Sequence, residues 1–200
     1  MFEGAPSTMV EMYTTDLRAR LGLHLDSDPR PELPPATRPA AVLLPILEAP
    51  EPSVIFTRRT DDLPRHAGEI SFPGGLPHAE DAGLRETALR EAEEELGLAP
   101  AAVDVIGALP PVHTFVSGIL IVPFVGMLAA RPALTPNAGE IAEVLEYSLA
   151  RLAHAEVEVE FPRGDRVYQG FAYEMEGNTI WGATGKILHS LIEILRTEQS

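Results

Sequence analysis

Glu86-Thr87-Ala88-Leu89-Arg90-Glu91-Ala92-Glu93-Glu94-Glu95-Leu96-Gly97-Leu98, arriving shortly after Phe72-Pro73-Gly74-Gly75, is the stretch on which the fold of this chain turns. Glu91, Glu94 and Glu95 stand at i, i+3 and i+4, so a helix with about 3.6 residues per turn projects their carboxylates from one face. Ala88, Leu89, Ala92 and Leu96 fall on the other side and read as buried. Three like charges this close repel one another. A hard cation such as Mg²⁺ removes the repulsion, because it takes carboxylate oxygens and water while also engaging substrate phosphates. Glycines at 74 and 75 permit a backbone approach that a Cβ would obstruct. The run therefore reads as a helix that carries a divalent-metal site beside a tight glycine turn.

The same residues resemble the Nudix hydrolase box. Gly75, Asp81, Arg90, Glu91, Ala92, Glu94, Glu95, Gly97 and Leu98 fill its pattern, with Asp81 in place of the usual glutamate and a spacer to Arg90 one residue longer than standard. The longer spacer is similar to that of the coenzyme A pyrophosphatase branch. A second signature of that branch resembles Val54-Ile55-Phe56-Thr57-Arg58-Arg59-Thr60, followed by Leu63-Pro64-Arg65-His66-Ala67-Gly68 and Phe72-Pro73-Gly74-Gly75. Here Pro64 occupies the usual arginine position, Arg65 follows one place later, and Thr60 stands for serine. A third, weaker similarity lies at Ile180-Trp181-Gly182-Ala183-Thr184.

The resemblance implies an α+β chain with the Nudix fold, an α/β/α sandwich around a mixed β-sheet. It implies Mg²⁺ or Mn²⁺ held by Glu91 and Glu95, with Glu94 as a further ligand or a holder of water, and the Gly75 carbonyl as an additional ligand. Glu94 and Glu95 are then also candidate catalytic groups. Arg90 is expected to orient the helix carboxylates. Glu140, in the loop from Thr135, is a candidate catalytic carboxylate, although an ordinary exposed acid is the plainer reading of it. Substrate contacts are expected from Gly74 and Gly75 and from Arg58, Arg59 and Arg65, since a guanidinium offers forked donors to phosphate oxygens. His66 reads equally as a substrate contact or a structural hydrogen-bonding residue. His113 is expected in a loop.

Composition narrows the function classes. Two hundred residues with 45% apolar content suffice for one globular unit with a real core. A formal charge of -15 argues against general nucleic-acid binding, which needs a basic surface to displace counterions. Cysteine is absent, which removes disulfides, cysteine-ligated zinc and a thiol nucleophile. No signal peptide is evident, and the apolar run from Ile119 to Ala130 is broken by Pro123 and Gly126 and is too short to span a bilayer. A cytoplasmic protein with no membrane partner is expected.

Along the chain, Met9, Met12, Leu17 and Leu21 suggest an N-terminal helix, and the five prolines between Asp28 and Pro39 an extended connector. Residues 1–39 are thus read as helix plus connector and 40–200 as the Nudix domain; a homodimer contact or a lid over the pocket are the roles open to the former. Strands are predicted at 40–47, 53–58, 103–109, 119–128, 143–148, 157–161 and 166–174, and an amphipathic helix at 185–196.

The reaction expected from the resemblance is hydrolysis of the diphosphate in coenzyme A and its derivatives, a small-molecule nucleotide substrate, to 3′,5′-ADP and 4′-phosphopantetheine. ADP-ribose, NADH or dinucleoside polyphosphates are the alternative substrates. A nucleotide-binding regulator without turnover is the alternative of another class.

Overall fold

The computed structural model describes residues 16–35, 37–61, 67–114, 118–163 and 166–197. Arg65, His66 and residues 9–15 of the expected N-terminal helix lie outside the described residues.

Elements follow in the order α1 (Leu17–Gly22), β1 (Arg38–Leu47), β2 (Ser53–Arg59), β3 (Ile70–Ser71), β4 (Gly74–Gly75), α2 (Leu84–Leu96), β5 (Asp104–Ala108), β6 (Val112–His113), β7 (Ile119–Leu128), β8 (Ile141–Ser148), α3 (Leu149–Ala155), β9 (Glu156–Arg163), β10 (Arg166–Met175), β11 (Asn178–Ile180) and α4 (Gly182–Thr197). The main sheet has eight strands and is mixed: β1 and β7 run parallel through ten consecutive residue pairs, and the other pairings are antiparallel. The expected α+β class and mixed sheet are present. β9, β10 and β11 form a separate three-stranded antiparallel sheet.

Alternation along β1 and β7 divides the core. Ala41, Leu43, Val122 and Phe124 face one side, where they meet Ala88, Ala92 and Leu96 of α2. Leu44, Ile46, Val125 and Met127 face the other, where they meet Leu188, Leu191 and Ile192 of α4 together with Leu17 and Leu21 of α1. Period-two strands between period-3.6 helices thus bury both sheet faces. Full burial of a leucine such as Leu96 is worth roughly 1.5–3 kcal/mol, so α2 is held by its apolar stripe and its acidic face is left for chemistry. Gly97 ends α2 in the left-handed conformation, φ 68°, which a glycine adopts without strain.

The departures from the sequence reading are local, and include the short strands β3, β4 and β11. His113 sits on the short strand β6, opposite Leu120, rather than in a loop. Residues 149–155 form α3, where Ser148 Oγ accepts from the Arg151 N–H at the first turn. The final helix begins at Gly182, three residues before the predicted start. Among the described residues no helix is long and apolar enough to cross a membrane.

Candidate active site

The glycine turn is a structural necessity. Gly74 and Gly75 pair as β4 with Val42 and Ala41 of β1. A Cβ on Gly74 would run into the Ala41 carbonyl oxygen and stand 2.6 Å from Val42 Cα, and a Cβ on Gly75 would stand 2.5 Å from Glu91 Oε1. The Glu91 carboxylate therefore lies directly against bare backbone at Gly75.

Arg90 organises the helix from its half-buried position. Its Nε donates to Asp81 Oδ1 at 2.9 Å and its Nη2 to Asp81 Oδ2 at 3.1 Å, a fork-on-fork pair. Nη2 also donates to the Leu76 carbonyl at 3.1 Å, and Nη1 reaches Glu91 at 3.0 Å and Glu94 at 2.9 Å. One guanidinium thus joins the loop after Gly75 to two of the three helix carboxylates. Asp81 is further held by the Thr87 hydroxyl at 2.8 Å and the His78 N–H at 2.9 Å. The hydrogen bonds from Arg90 come first in holding the Asp81 carboxyl well below the usual range, with the His78 N–H next. Asp81 fits the box by position, but its place as the anchor of Arg90 emerges only from the geometry.

Glu95 is the buried member of the triad, 4% exposed. Burial pushes its pKa up to about 7; the Arg59 charge and the Gly74 N–H act against that rise, while the charges of Glu91 and Glu140 add to it. Burial also raises Glu91, opposed by its pairing with Arg90. Glu94 is the exposed member.

Glu140 is drawn to this cluster by backbone stitching. Thr135 N–H donates to the Leu96 carbonyl at 2.7 Å and Asn137 N–H to the Glu95 carbonyl at 2.9 Å, which ties the loop to the end of α2. Thr60 N–H donates to the Glu140 carbonyl at 2.9 Å, which ties it to the end of β2. These stitches are backbone contacts, and residue types carry little signal for them.

The two neighbouring arginines have different fates. Arg58 pairs with Glu143 across the β2–β8 ladder at 2.9 Å. A register shift follows between Arg58 and Arg59, the kind of irregularity that re-aims a side chain. Arg59 then acts electrostatically on Glu95, and among the described residues its buried Nε has no hydrogen-bond acceptor.

The donor set fits a hard divalent ion: carboxylates of Glu91 and Glu95 with a bare backbone seat at Gly75, mutually repelling and only partly compensated by cations. A different trio, Glu156, His189 and Glu193, has its ligand atoms within 4.8 Å of one another. There Arg196 already bridges Glu156 at 2.6 Å and Glu193 at 3.0 Å, and Tyr173 and His189 also hold Glu156, so this is an ion-pair network that fastens α4 to β9 and β10.

A NUDIX domain model matches residues 37–167, which contain the glycine turn, Asp81, Arg90 and the three glutamates. The chain belongs to the Nudix family. A protein of Pectobacterium atrosepticum named as the uncharacterized Nudix hydrolase NudL is 41% identical over 80% of this chain and 87% of its own length. Its namesake from Photorhabdus laumondii is 35% identical over 90% and 96%. Among solved structures, the NUDIX domain of Shewanella oneidensis NrtR complexed with ADP ribose superposes with a TM-score of 0.54 at 16% identity, covering 86% of this chain and 95% of that one. A MutT protein from Methanosarcina mazei gives the same TM-score and identity over 86% and 100%. These two likenesses show the shared fold. The chain is a Nudix hydrolase, and members of this family generally use divalent metal ions.

Proposed function

We propose that this Nudix hydrolase is a coenzyme A diphosphatase, cleaving coenzyme A and its derivatives to 3′,5′-ADP and 4′-phosphopantetheine. The observation that supports the substrate is Arg59. It lies in the Val54 to Thr60 stretch that resembles the signature preceding the box, and its charge acts on buried Glu95 while, among the described residues, its Nε lacks an acceptor. An unsatisfied guanidinium donor beside carboxylates is suited to a phosphate oxygen.

Mg²⁺ or Mn²⁺ at Glu91 and Glu95, completed by Glu94 and the Gly75 carbonyl, would supply charge neutralisation on the diphosphate and acidify water. The residues of the chain do the rest. Arg90 keeps Glu91 and Glu94 in register with the glycine turn, Gly74 and Gly75 let the substrate approach the backbone, and Arg59 binds a phosphate oxygen. Water attacks phosphorus, the bond to the bridging oxygen breaks, and the proton passes to Glu140 or to a helix glutamate. Arg58, engaged with Glu143, has the weaker claim to a substrate contact.

The test of substrate is truncation. Dephospho-coenzyme A, which lacks the 3′-phosphate, and ADP-ribose, which lacks both that phosphate and the pantetheine arm, should be turned over more slowly than coenzyme A. Equal kcat/KM for all three would replace the coenzyme A assignment with a general ADP-containing diphosphatase.

A further inference from the structure

The small sheet ends on a strand with one side unpaired. β9 pairs with β10 and β10 with β11, so β9 is the edge, and among the described residues no strand pairs with its outer side. Such an edge presents a row of N–H and C=O groups to solvent, which is a template for a further strand.

The side chains of β9 divide by the period of two. Val157, Val159 and Phe161 stand opposite Ala172, Gly170 and Tyr168 of β10, so they share one face of the sheet. Val157 is 48% exposed there. Trp181, 47% exposed, reaches the same face, with its ring 5.9 Å from that of Phe161. Glu158 and Glu160 stand opposite Phe171 and Gln169 and point to the other face. Phe171 marks that face as the one α4 covers, since its ring stacks on His189 at 3.4 Å. Both glutamates are exposed. Glu160 accepts from the Gln169 amide at 2.9 Å, and among the described residues no cation pairs with Glu158 or Glu160. Glu156, at the start of the strand, is by contrast held by Arg196 and His189.

The edge thus combines open backbone groups, an apolar row on one face and two uncompensated carboxylates on the other. A second copy of the chain does not fit it. Antiparallel self-pairing would set glutamates against glutamates, and like charges directly opposite one another are destabilising. An extended segment that alternates apolar residues with lysine or arginine fits both faces at once. Its apolar side chains would pack beside Val157, Val159 and Phe161, and its cations would stand opposite Glu158 and Glu160. The formal charge of -15 adds a long-range attraction for such a segment.

We infer that the outer edge of β9 docks, by strand addition, an extended segment of a partner protein in which apolar and basic residues alternate. Main-chain hydrogen bonds hold the segment, and the two glutamates select its charge. The docking edge is independent of the diphosphatase reading.

The test uses the full chain and a fluorescein-labelled peptide of about seven residues, an ordinary strand length, that alternates lysine and valine. Anisotropy should show saturable binding. The fluorescence of Trp181, the only tryptophan and a neighbour of Phe161 on the apolar face, should change in step. The same peptide methylated on alternate backbone nitrogens, which removes its donors to the edge, should bind at least about tenfold more weakly. Replacing both glutamates, Glu158→Lys with Glu160→Lys, should weaken the lysine–valine peptide about tenfold and make a glutamate–valine peptide the better ligand.

Absence of binding would overturn the docking edge. Equal binding of the methylated peptide, or of a shuffled peptide of the same composition, would also overturn it by reducing the effect to general attraction to an acidic surface. Dimerisation of the wild type that the peptide competes away would assign the edge to a second copy and overturn it as well.

Discussion

Arg90 and Asp81, nine residues apart, are joined by two hydrogen bonds of 2.9 and 3.1 Å, and this pair fixes the loop after Gly75 to the helix that carries Glu91, Glu94 and Glu95. The spare donors of the same guanidinium reach Glu91 and Glu94. The position of the carboxylates proposed to bind metal is therefore inherited from a residue that need not touch the metal itself.

Asp81→Asn should lower Mn²⁺ affinity about tenfold to a hundredfold, as loss of such supporting contacts does, while leaving the circular dichroism of the fold unchanged. The same pair shapes acid stability. The folded Asp81 carboxyl titrates below its unfolded value of about 3.9. Above that unfolded value the pairing contributes fully, and the contribution is lost as pH falls toward the folded pKa. Thermal unfolding of the wild type should thus weaken below about pH 4, and Asp81→Asn should show a flatter acid limb over that window. Parallel acid limbs would contradict the assignment.

Gly74 and Gly75 should fail in different ways when given a methyl group. In Gly74→Ala the Cβ meets the backbone of Ala41 and Val42, which cannot swing aside, and the overpacking should cost about 1–3 kcal/mol in chemical denaturation. In Gly75→Ala it meets the end of the Glu91 side chain, which can move. That variant should keep more of its stability and lose Mn²⁺ affinity instead.

Arg58 and Arg59 provide a matched pair. Arg58→Ala breaks a partly exposed ion pair with Glu143 and should change stability by less than about 1 kcal/mol, with near-normal turnover. Arg59→Ala removes the cation that acts on Glu95 and should reduce kcat/KM for coenzyme A by at least about tenfold, the factor that corresponds to about 1.4 kcal/mol of lost transition-state binding. Steady-state kinetics on both variants separates these outcomes; equal losses would reject the distinction drawn from the register shift.

Glu95→Gln keeps the shape of the buried side chain and removes its charge. Turnover should fall at least about a hundredfold, since a direct ligand matters no less than the contacts that support it, with the unfolding temperature retained. Unchanged turnover would reject Glu95 as a ligand.

The sequence was most informative where periodicity is long. The run 119–128 and the apolar stripe of Ile187, Leu188, Leu191, Ile192 and Leu195 read directly as a strand and a helix, and both are present. β3, β4 and β6 have two residues each and β11 has three, too short to establish a period, and each exists because a neighbouring strand supplies its partners. At the site, the i, i+3, i+4 spacing puts the three glutamates on one helix face, but the spacing alone equally describes a solvated face, and the nearby glycine turn and Arg90 were needed to single it out. The pairing of Arg90 with Asp81 depends on how the intervening loop folds back. The approach of Glu140 depends on backbone hydrogen bonds from Thr135 and Asn137, which side-chain identity does not encode.

Metal-dependent cleavage of coenzyme A is best checked by incubating the purified protein with coenzyme A, ADP-ribose and NADH in Mg²⁺ or Mn²⁺, with products resolved by chromatography beside an EDTA control. Coenzyme A should be the fastest substrate, yielding 3′,5′-ADP and 4′-phosphopantetheine in a reaction abolished by EDTA. Turnover of ADP-ribose or NADH with coenzyme A left intact, or no turnover of any of the three, would contradict it.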